Sequence, residues 1–159
     1  MNDGGYRTEV TETLIPSFIF PHPSSIFHRS SFIMKNVNIG IIGGGKIGSS
    51  IYKTLQSQGF LAQLGDVNPP PGGYQIDARD RKELKEWLSR DFEVVLCATP
   101  YSFVKNVATV AAELGIAYFD LTEDRDSTNY VKSLQSDNVI VPQCGLAPGA
   151  VSIIASSLI

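Results

Sequence analysis

Three successive glycines between two apolar segments constrain this chain more than any other feature of its sequence. They follow the apolar run 37–42 and precede an amphipathic stretch from residue 46, so they join a predicted strand to a predicted helix. The segment from Gly43 to Gly48 fits the pattern G-x-G-x-x-G, which in this setting is typical of a turn that binds a pyrophosphate. The first glycine permits a tight turn, the second admits phosphate near the backbone, and the third lets the helix pack on the strand. A tight turn that binds nothing is the alternative.

The rest of the chain alternates short apolar runs with stretches of helical periodicity. Strands are predicted over 37–42, 60–65, 74–76, 93–98, 117–121 and 138–141, and helices over 46–58, 80–90, 102–114 and 129–135. Because parallel strands need crossover helices, this rhythm predicts an α/β fold, a doubly wound Rossmann-type parallel sheet in three α/β/α layers. The expected strand order is 3-2-1-4-5-6. The continuous apolar run at 93–98 predicts a strand that is covered on both faces.

Composition limits the partners that such a domain can have. The chain has 159 residues, which suits one globular domain, and 43% of them are apolar. A formal net charge of −3 argues against a nucleic-acid partner, because binding duplexes requires clustered lysines and arginines. No run of about 18 apolar residues occurs, so we expect no membrane partner. Two cysteines are too few for a disulfide scaffold, which favours a reducing, cytoplasmic location.

The two ends of the chain differ from its middle. Residues 1–34 hold three prolines and two serine pairs, so we interpret them as a disordered or non-native leader before a natural start at Met34. A transit peptide is the alternative. The predicted domain then covers residues 35–149. The apolar stretch 150–159 is interpreted as a connecting helix or the start of a truncated second domain, and a complete small protein is the alternative.

Asp66 ends the second predicted strand, 23 residues after Gly43. A carboxylate at this place accepts hydrogen bonds from the ribose hydroxyls of a dinucleotide and repels a 2′-phosphate. Residues 67–73 contain neither arginine nor lysine that would hold such a phosphate. The sequence therefore favours NAD over NADP, with a solvated strand end as the alternative for Asp66.

Two further strand ends contribute candidates. Asp77 follows the third predicted strand, where it either reaches the adenine edge or caps the next helix. Small residues at 98–100 allow a nicotinamide ring close to the backbone, although Pro100 equally explains the start of a helix. The candidate cofactor-binding residues are Gly43, Gly45, Lys46, Ile47, Gly48, Asp66, Asp77, Ala98, Thr99 and Pro100.

No catalytic residue and no metal site is predicted. Both histidines, His22 and His28, lie in the first 34 residues. Cys97 and Cys144 fall on predicted strands four and six, about 10 Å apart, which exceeds the reach of a disulfide and predicts free thiols. Asp120 is either a polar contact at the cleft or a helix cap.

Two later segments, YFDLTED at 118–124 and PQCGLAPG at 142–149, resemble the cofactor domain of the saccharopine dehydrogenase-like family when they are taken together with 41–48. The resemblance covers about residues 35–155. The glycine loop is common to many dinucleotide binders, whereas D-L-T-E-D and C-G-L-x-P-G, in that order and at those strand ends, are more specific.

The resemblance implies an NAD(P)-dependent oxidoreductase of amino-acid metabolism that transfers a hydride at a carbon–nitrogen bond. It also implies that residues 98–100, 120–122 and 144–149 line the nicotinamide side of the cleft. Family members continue into a second domain that recognises an amino-acid-type substrate. This chain stops at Ile159, so we expect it to bind cofactor without full activity alone, and a homodimer is compatible with it.

Two other functions fit the same glycine loop. A non-catalytic NAD-sensing module, like the regulatory domains of potassium transport systems, would not need the 144–149 segment. An inactive scaffold that kept the fold would bind no dinucleotide, so titration with NAD separates it from the other two.

Overall fold

The structure, a computed structural model, describes residues 37–147 and 149–157. Within them, six strands form one parallel sheet in the order β3-β2-β1-β4-β5-β6, which confirms the predicted fold class and strand order. The strands are β1 Asn38–Ile42, β2 Leu61–Asp66, β3 Tyr74–Gln75, β4 Val94–Cys97, β5 Ala117–Asp120 and β6 Ile140–Val141. The helices are α1 Lys46–Ser57, α2 Arg81–Leu88, α3 Tyr101–Leu114, α4 Arg125–Ser133 and α5 Ala150–Ser156. The leader predicted over residues 1–34 lies outside the described residues.

One face of the sheet carries the larger part of the core. Side chains of α2, α3 and α4 pack there against strand residues that point toward them, among which Val95 and Tyr118 are fully buried. Trp87 of α2 lies at the centre of this cluster, with its ring 4.5 Å from that of Phe92. Burial of this many apolar side chains is the main term that stabilises a domain of this size.

The opposite face is covered less completely. Ile51 and Leu55 of α1 pack over Ile41 and Leu64, which are fully buried on the first two strands. On β4 and β5, however, buried and partly exposed residues alternate. The prediction that residues 93–98 are covered on both faces is therefore confirmed in part, because Val94 and Leu96 are half-buried against the cluster under α1, which lies mainly on β1 and β2.

Two predicted boundaries change for local reasons. The helix predicted over 129–135 begins earlier, at Arg125, because the Asp124 carboxylate accepts a hydrogen bond from Ser127 N at 2.7 Å and caps it. The sixth strand is only two residues long and ends at Val141, because Pro142 has no N–H to donate to a ladder.

All six strands point the same way, so their carboxyl ends share one edge of the sheet. Two backbone hydrogen bonds hold the turn after β1 between its neighbours: Gly43 N donates to Gly65 O at 2.9 Å, and Ala98 N donates to Ile42 O at 2.8 Å. In residues 37–147 and 149–157, no helix has the length and apolar character needed to cross a bilayer.

Candidate functional site

A cleft of about 400 Å³ lies at the carboxyl edge of the sheet. It is bounded by the turn after β1, the ends of β2 and β3, and the segment that joins β4 to α3. Its lining residues are Ile42, Gly43, Gly45, Asp66, Val67, Ile76, Asp77, Ala78, Arg79, Ala98, Thr99, Pro100 and Phe103. Clefts at this edge, where the strand order reverses, are where open α/β sheets bind ligands.

The three glycines of the G-x-G-x-x-G pattern meet different surroundings. Gly43 has a φ of 106°, and a Cβ there would lie 2.6 Å from Ala98 O. A Cβ at Gly48 would overlap Gly43 O. The protein's own backbone therefore requires glycine at both positions.

Gly45 is different, because the fold makes no such demand on it. Its φ of −63° is open to any residue, and a Cβ there would meet no described atom within 4 Å apart from its chain neighbours. It is exposed and lines the cleft just before α1, and no side chain caps that helix. The first turn of a helix leaves backbone N–H groups without intrahelical partners, so this position offers donors and open space together.

Three predicted residues of this loop do not line the cleft. Lys46 and Ile47 are exposed at the start of α1, and Gly48 is buried against the turn. Residues 46 and 47 contribute backbone N–H groups to the start of α1. The glycine pattern depends on these backbone groups and not on the two side chains.

Asp66 lies at the end of β2 with both carboxylate oxygens engaged. Oδ2 accepts a hydrogen bond from Gly44 N at 2.5 Å, and Oδ1 accepts one from Asn68 N at 2.8 Å. Each carboxylate oxygen has a second lone pair, so Asp66 can still accept from a ligand. The carboxylate thus ties the glycine loop to the end of β2 and faces the cleft.

Asp77 is engaged by a residue that sequence reasoning missed. The Arg79 side chain donates from Nε to Oδ1 at 2.9 Å and from Nη2 to Oδ2 at 2.6 Å, and Arg79 N also donates to Oδ1 at 2.9 Å. The hydrogen bonds from Arg79 lower the pKa of Asp77 to about 2. The alternative that Asp77 caps a helix is wrong, because Asp80 caps α2 by accepting from Lys82 N and Glu83 N. The spacing Asp-x-Arg was the available signal for this pair.

The segment after β4 starts a helix, as one of its two interpretations has it, and it also borders the cleft, where a nicotinamide contact stays a prediction. Ala98, Thr99 and Pro100 line the cleft, and Pro100 is also the residue before the first turn of α3. Thr99 Oγ1 lies 3.2 Å from the sulfur of Cys97, which is buried directly below. Residues 98–100 therefore both lead into α3 and form one wall of the cleft.

Asp120 has neither of the roles predicted for it. It is 1% exposed and does not line the cleft. Its carboxylate accepts hydrogen bonds from Tyr118 OH at 2.9 Å and from Thr122 N and Gln143 N, both at 3.0 Å. Its carbonyl accepts a further bond from Cys144 N at 2.7 Å. Asp120 therefore joins the end of β5 to the segment that follows β6.

Both cysteines are free, as predicted. Cys97 is at the end of β4, but Cys144 lies three residues beyond β6 rather than on it. Burial raises the pKa of the Cys97 thiol, and partial burial together with the charge of Asp120 raises that of Cys144. Neither thiol is therefore in the ionised form that a nucleophile needs at neutral pH.

No protein-family model and no curated protein matches this chain. Solved structures do match it. Saccharopine dehydrogenase (L-Glu forming) from Saccharomyces cerevisiae is 18% identical with a TM-score of 0.63, over 77% of this chain and 30% of the enzyme. The TrkA-N domain of the inner membrane protein ybaL from Escherichia coli is 12% identical with a TM-score of 0.55, over 76% of this chain and 93% of that domain. RSP, a Rex-family repressor, is 20% identical with a TM-score of 0.53, over 77% of this chain and 59% of the repressor.

Identities this low establish the fold alone. The chain has a Rossmann fold that it shares with an enzyme, a TrkA-N domain and a repressor, and it spans less than a third of the length of the yeast enzyme.

Proposed function

We propose that this chain is the dinucleotide-binding part of an NAD(P)-dependent oxidoreductase. The observation that carries the proposal is the free space at Gly45. Glycine at positions 43 and 48 is explained by the chain's own packing, but position 45 has an ordinary backbone conformation and no neighbour that excludes a side chain. A ligand that approaches the backbone there explains the glycine at position 45, and a pyrophosphate is the group that the start of a helix favours.

The residues around the cleft fit such a cofactor. The backbone N–H groups at the start of α1 would hold the pyrophosphate, and Asp66 would accept hydrogen bonds from the adenosine ribose. Ala98, Thr99 and Pro100 would border the nicotinamide side, where their small side chains leave room close to the backbone. When bound, the nicotinamide ring supplies hydride transfer. The negative charge of Asp66 disfavours a 2′-phosphate, which supports NAD as the cofactor.

Hydride transfer at an amino-acid carbon–nitrogen bond is the reaction class that the motifs favour. Two segments carry the resemblance to saccharopine dehydrogenase-like proteins, and they meet at the carboxyl edge, where Asp120 accepts hydrogen bonds from Thr122 N of the first and Gln143 N of the second. A pure sensing module would not need the 144–149 segment. We assign no proton-transfer residue in this chain, and we propose that the substrate is bound by a second domain.

Calorimetric titration with NAD and with NADP tests the proposal. We expect the chain to bind NAD, with weaker binding of NADP, and to turn over little amino-acid substrate by itself. Absence of binding to either dinucleotide would contradict the proposal and would leave the inactive scaffold as the interpretation.

Substituting Asp66 with alanine should weaken NAD binding by roughly 1–3 kcal/mol, as expected for lost hydrogen bonds to a charged group. The same change should narrow the difference between NAD and NADP, because the charge that repels a 2′-phosphate is gone. Asp66→Asn is the matched control, since it keeps the shape of the side chain and an oxygen for one of the amides of Gly44 and Asn68 but removes the charge. Calorimetry on both variants measures the two affinities. An unchanged preference for NAD in the alanine variant would argue against the ribose role.

A further inference from the structure

The cleft contains a cation that no motif indicated. Among the described residues that line it, Arg79 alone is positively charged. It belongs to the segment that follows β3, on the same side of the cleft as Val67, which follows β2 and is 45% exposed. Residues beyond the ribose-binding end of β2, in the direction of β3, border the part of the cleft where the base of a dinucleotide would lie.

The geometry of Arg79 fixes the plane of its guanidinium. Nε and Nη2 both donate to the Asp77 carboxylate, at 2.9 and 2.6 Å, in the two-point arrangement that arginine forms with carboxylates. These bonds lie in the plane of the group and use one edge of it. The two flat faces remain available, and the side chain is 68% exposed.

A guanidinium with a free face is a stacking partner for aromatic rings. The neighbouring walls of the cleft are apolar at Val67, Ile76 and Ala78, which suits the faces and edges of a flat heterocycle better than it suits a phosphate. The Asp77 carboxylate also offsets the charge of Arg79, and Asp66 adds a negative charge to the same cleft. This part of the cleft is therefore a poor site for an additional phosphate.

We propose that Arg79 stacks on the adenine base of the dinucleotide and that Asp77 is the positioning residue that holds the guanidinium plane. The inference rests on the proposed function and assigns the base-binding role to Arg79 rather than to the carboxylate of Asp77, which is occupied by Arg79. It also predicts that Arg79, although it is a cation in the cleft, contributes nothing to binding a 2′-phosphate.

Calorimetric titration of four variants with NAD, NADP, ADP and nicotinamide mononucleotide tests the proposal. Arg79→Ala should weaken NAD and ADP by the same factor, roughly two- to fivefold as for an exposed cation–π contact, and should leave nicotinamide mononucleotide unchanged. Arg79→Lys should weaken the binding of NAD and ADP nearly as much, because lysine keeps the charge but has no planar group that can stack. The affinity of Asp77→Asn for NAD and ADP should lie between that of these variants and that of the wild type.

Arg81→Ala is the matched control. Arg81 is also an exposed arginine in an ion pair, with Glu113, but it does not line the cleft, so its removal should change no affinity. Circular dichroism should show native melting for all four variants, because exposed ion pairs contribute little to stability.

Two results would overturn the proposal. If Arg79→Ala weakens the binding of NADP but not of NAD, and Arg79→Lys binds NADP as tightly as the wild type, Arg79 is a phosphate-binding cation. If no affinity changes in either variant, the pair with Asp77 is a surface ion pair only. A wild-type chain that binds neither NAD nor ADP would instead overturn the proposed function, and that outcome is visible before any variant is made.

Discussion

Replacing Gly45 with valine should abolish dinucleotide binding and leave the fold intact. The φ of −63° at this position is open to valine, and a Cβ there meets no described atom within 4 Å beyond its chain neighbours, so we expect the fold to persist with a small loss of stability, because valine is a poorer helix N-cap than glycine. A pyrophosphate at the start of α1 would occupy that same space. Loss of even two hydrogen bonds from backbone N–H groups to a charged phosphate, at about 1.5–3 kcal/mol each, corresponds to at least about a hundredfold weaker binding. Calorimetry measures the affinity, and thermal melting by circular dichroism measures the fold.

Gly48→Ala provides the contrast for this experiment. A Cβ at position 48 would overlap Gly43 O, so this variant should lose stability rather than affinity alone. Gly45→Ala should melt only slightly below the wild type, because alanine is a poorer helix N-cap than glycine, and it should bind NAD less tightly. If Gly45→Val melts normally and binds NAD with unchanged affinity, the phosphate does not lie at this loop and the proposed cofactor site is wrong.

The arrangement of the sheet could be predicted from the sequence because each strand and helix leaves a local pattern. The apolar runs, the helical spacing of apolar side chains and the glycines between them determine six strands joined by crossovers, and the preference for right-handed crossovers then limits the strand order. Coverage of the sheet could not be predicted in the same way. The apolar run at 93–98 looks the same whether its second face is covered fully or in part, and only the position of α1, mainly over β1 and β2, accounts for the half-buried Val94 and Leu96.

The residues of the candidate site that lie at strand ends could be predicted from the sequence. The residues whose roles depend on which side chains hydrogen-bond to each other could not. Gly43, Gly45, Asp66 and the segment 98–100 line one cleft because parallel strands end at one edge. The sequence does not indicate that Arg79 occupies the carboxylate of Asp77, since many partners are available to an aspartate at a loop. The spacing Asp-x-Arg permits this pair, but whether it forms depends on distances between side chains that the spacing does not specify.

The same limit applies to Asp120, whose neighbours come from two segments that are far apart in the sequence. Thr122 follows it closely, but Gln143 lies 23 residues further along and approaches only because β6 pairs with β5. A strand-end aspartate suggests a helix cap, and Asp124 supplies that cap instead. Burial to 1% exposure is what distinguishes the structural role of Asp120 from a role in the cleft.

Substituting Asp120 with alanine should therefore destabilise the chain strongly. The change leaves Tyr118 OH, Thr122 N and Gln143 N without their acceptor inside the protein. Tyr118 OH and Thr122 N are buried, and each costs about 1–3 kcal/mol when it loses its partner, whereas Gln143 N is partly open to water, so the free energy of unfolding should fall by at least about 2 kcal/mol. That is a large part of the stability of an ordinary domain. Urea denaturation followed by circular dichroism measures the loss as a shift of the midpoint.

Asp120→Asn keeps the volume of the side chain, so it distinguishes the effect of lost hydrogen bonds from the effect of a cavity. Its oxygen can accept from Thr122 N and Gln143 N, and Tyr118 OH can turn to accept from the new amide group, so most of the stability should return. Tyr118→Phe removes only one of the three donors and should cost less than Asp120→Ala. If Asp120→Ala unfolds at the same urea concentration as the wild type, the carboxylate does not stabilise the contact between residues 120–122 and residues 142–144, and the structural role given to Asp120 is wrong.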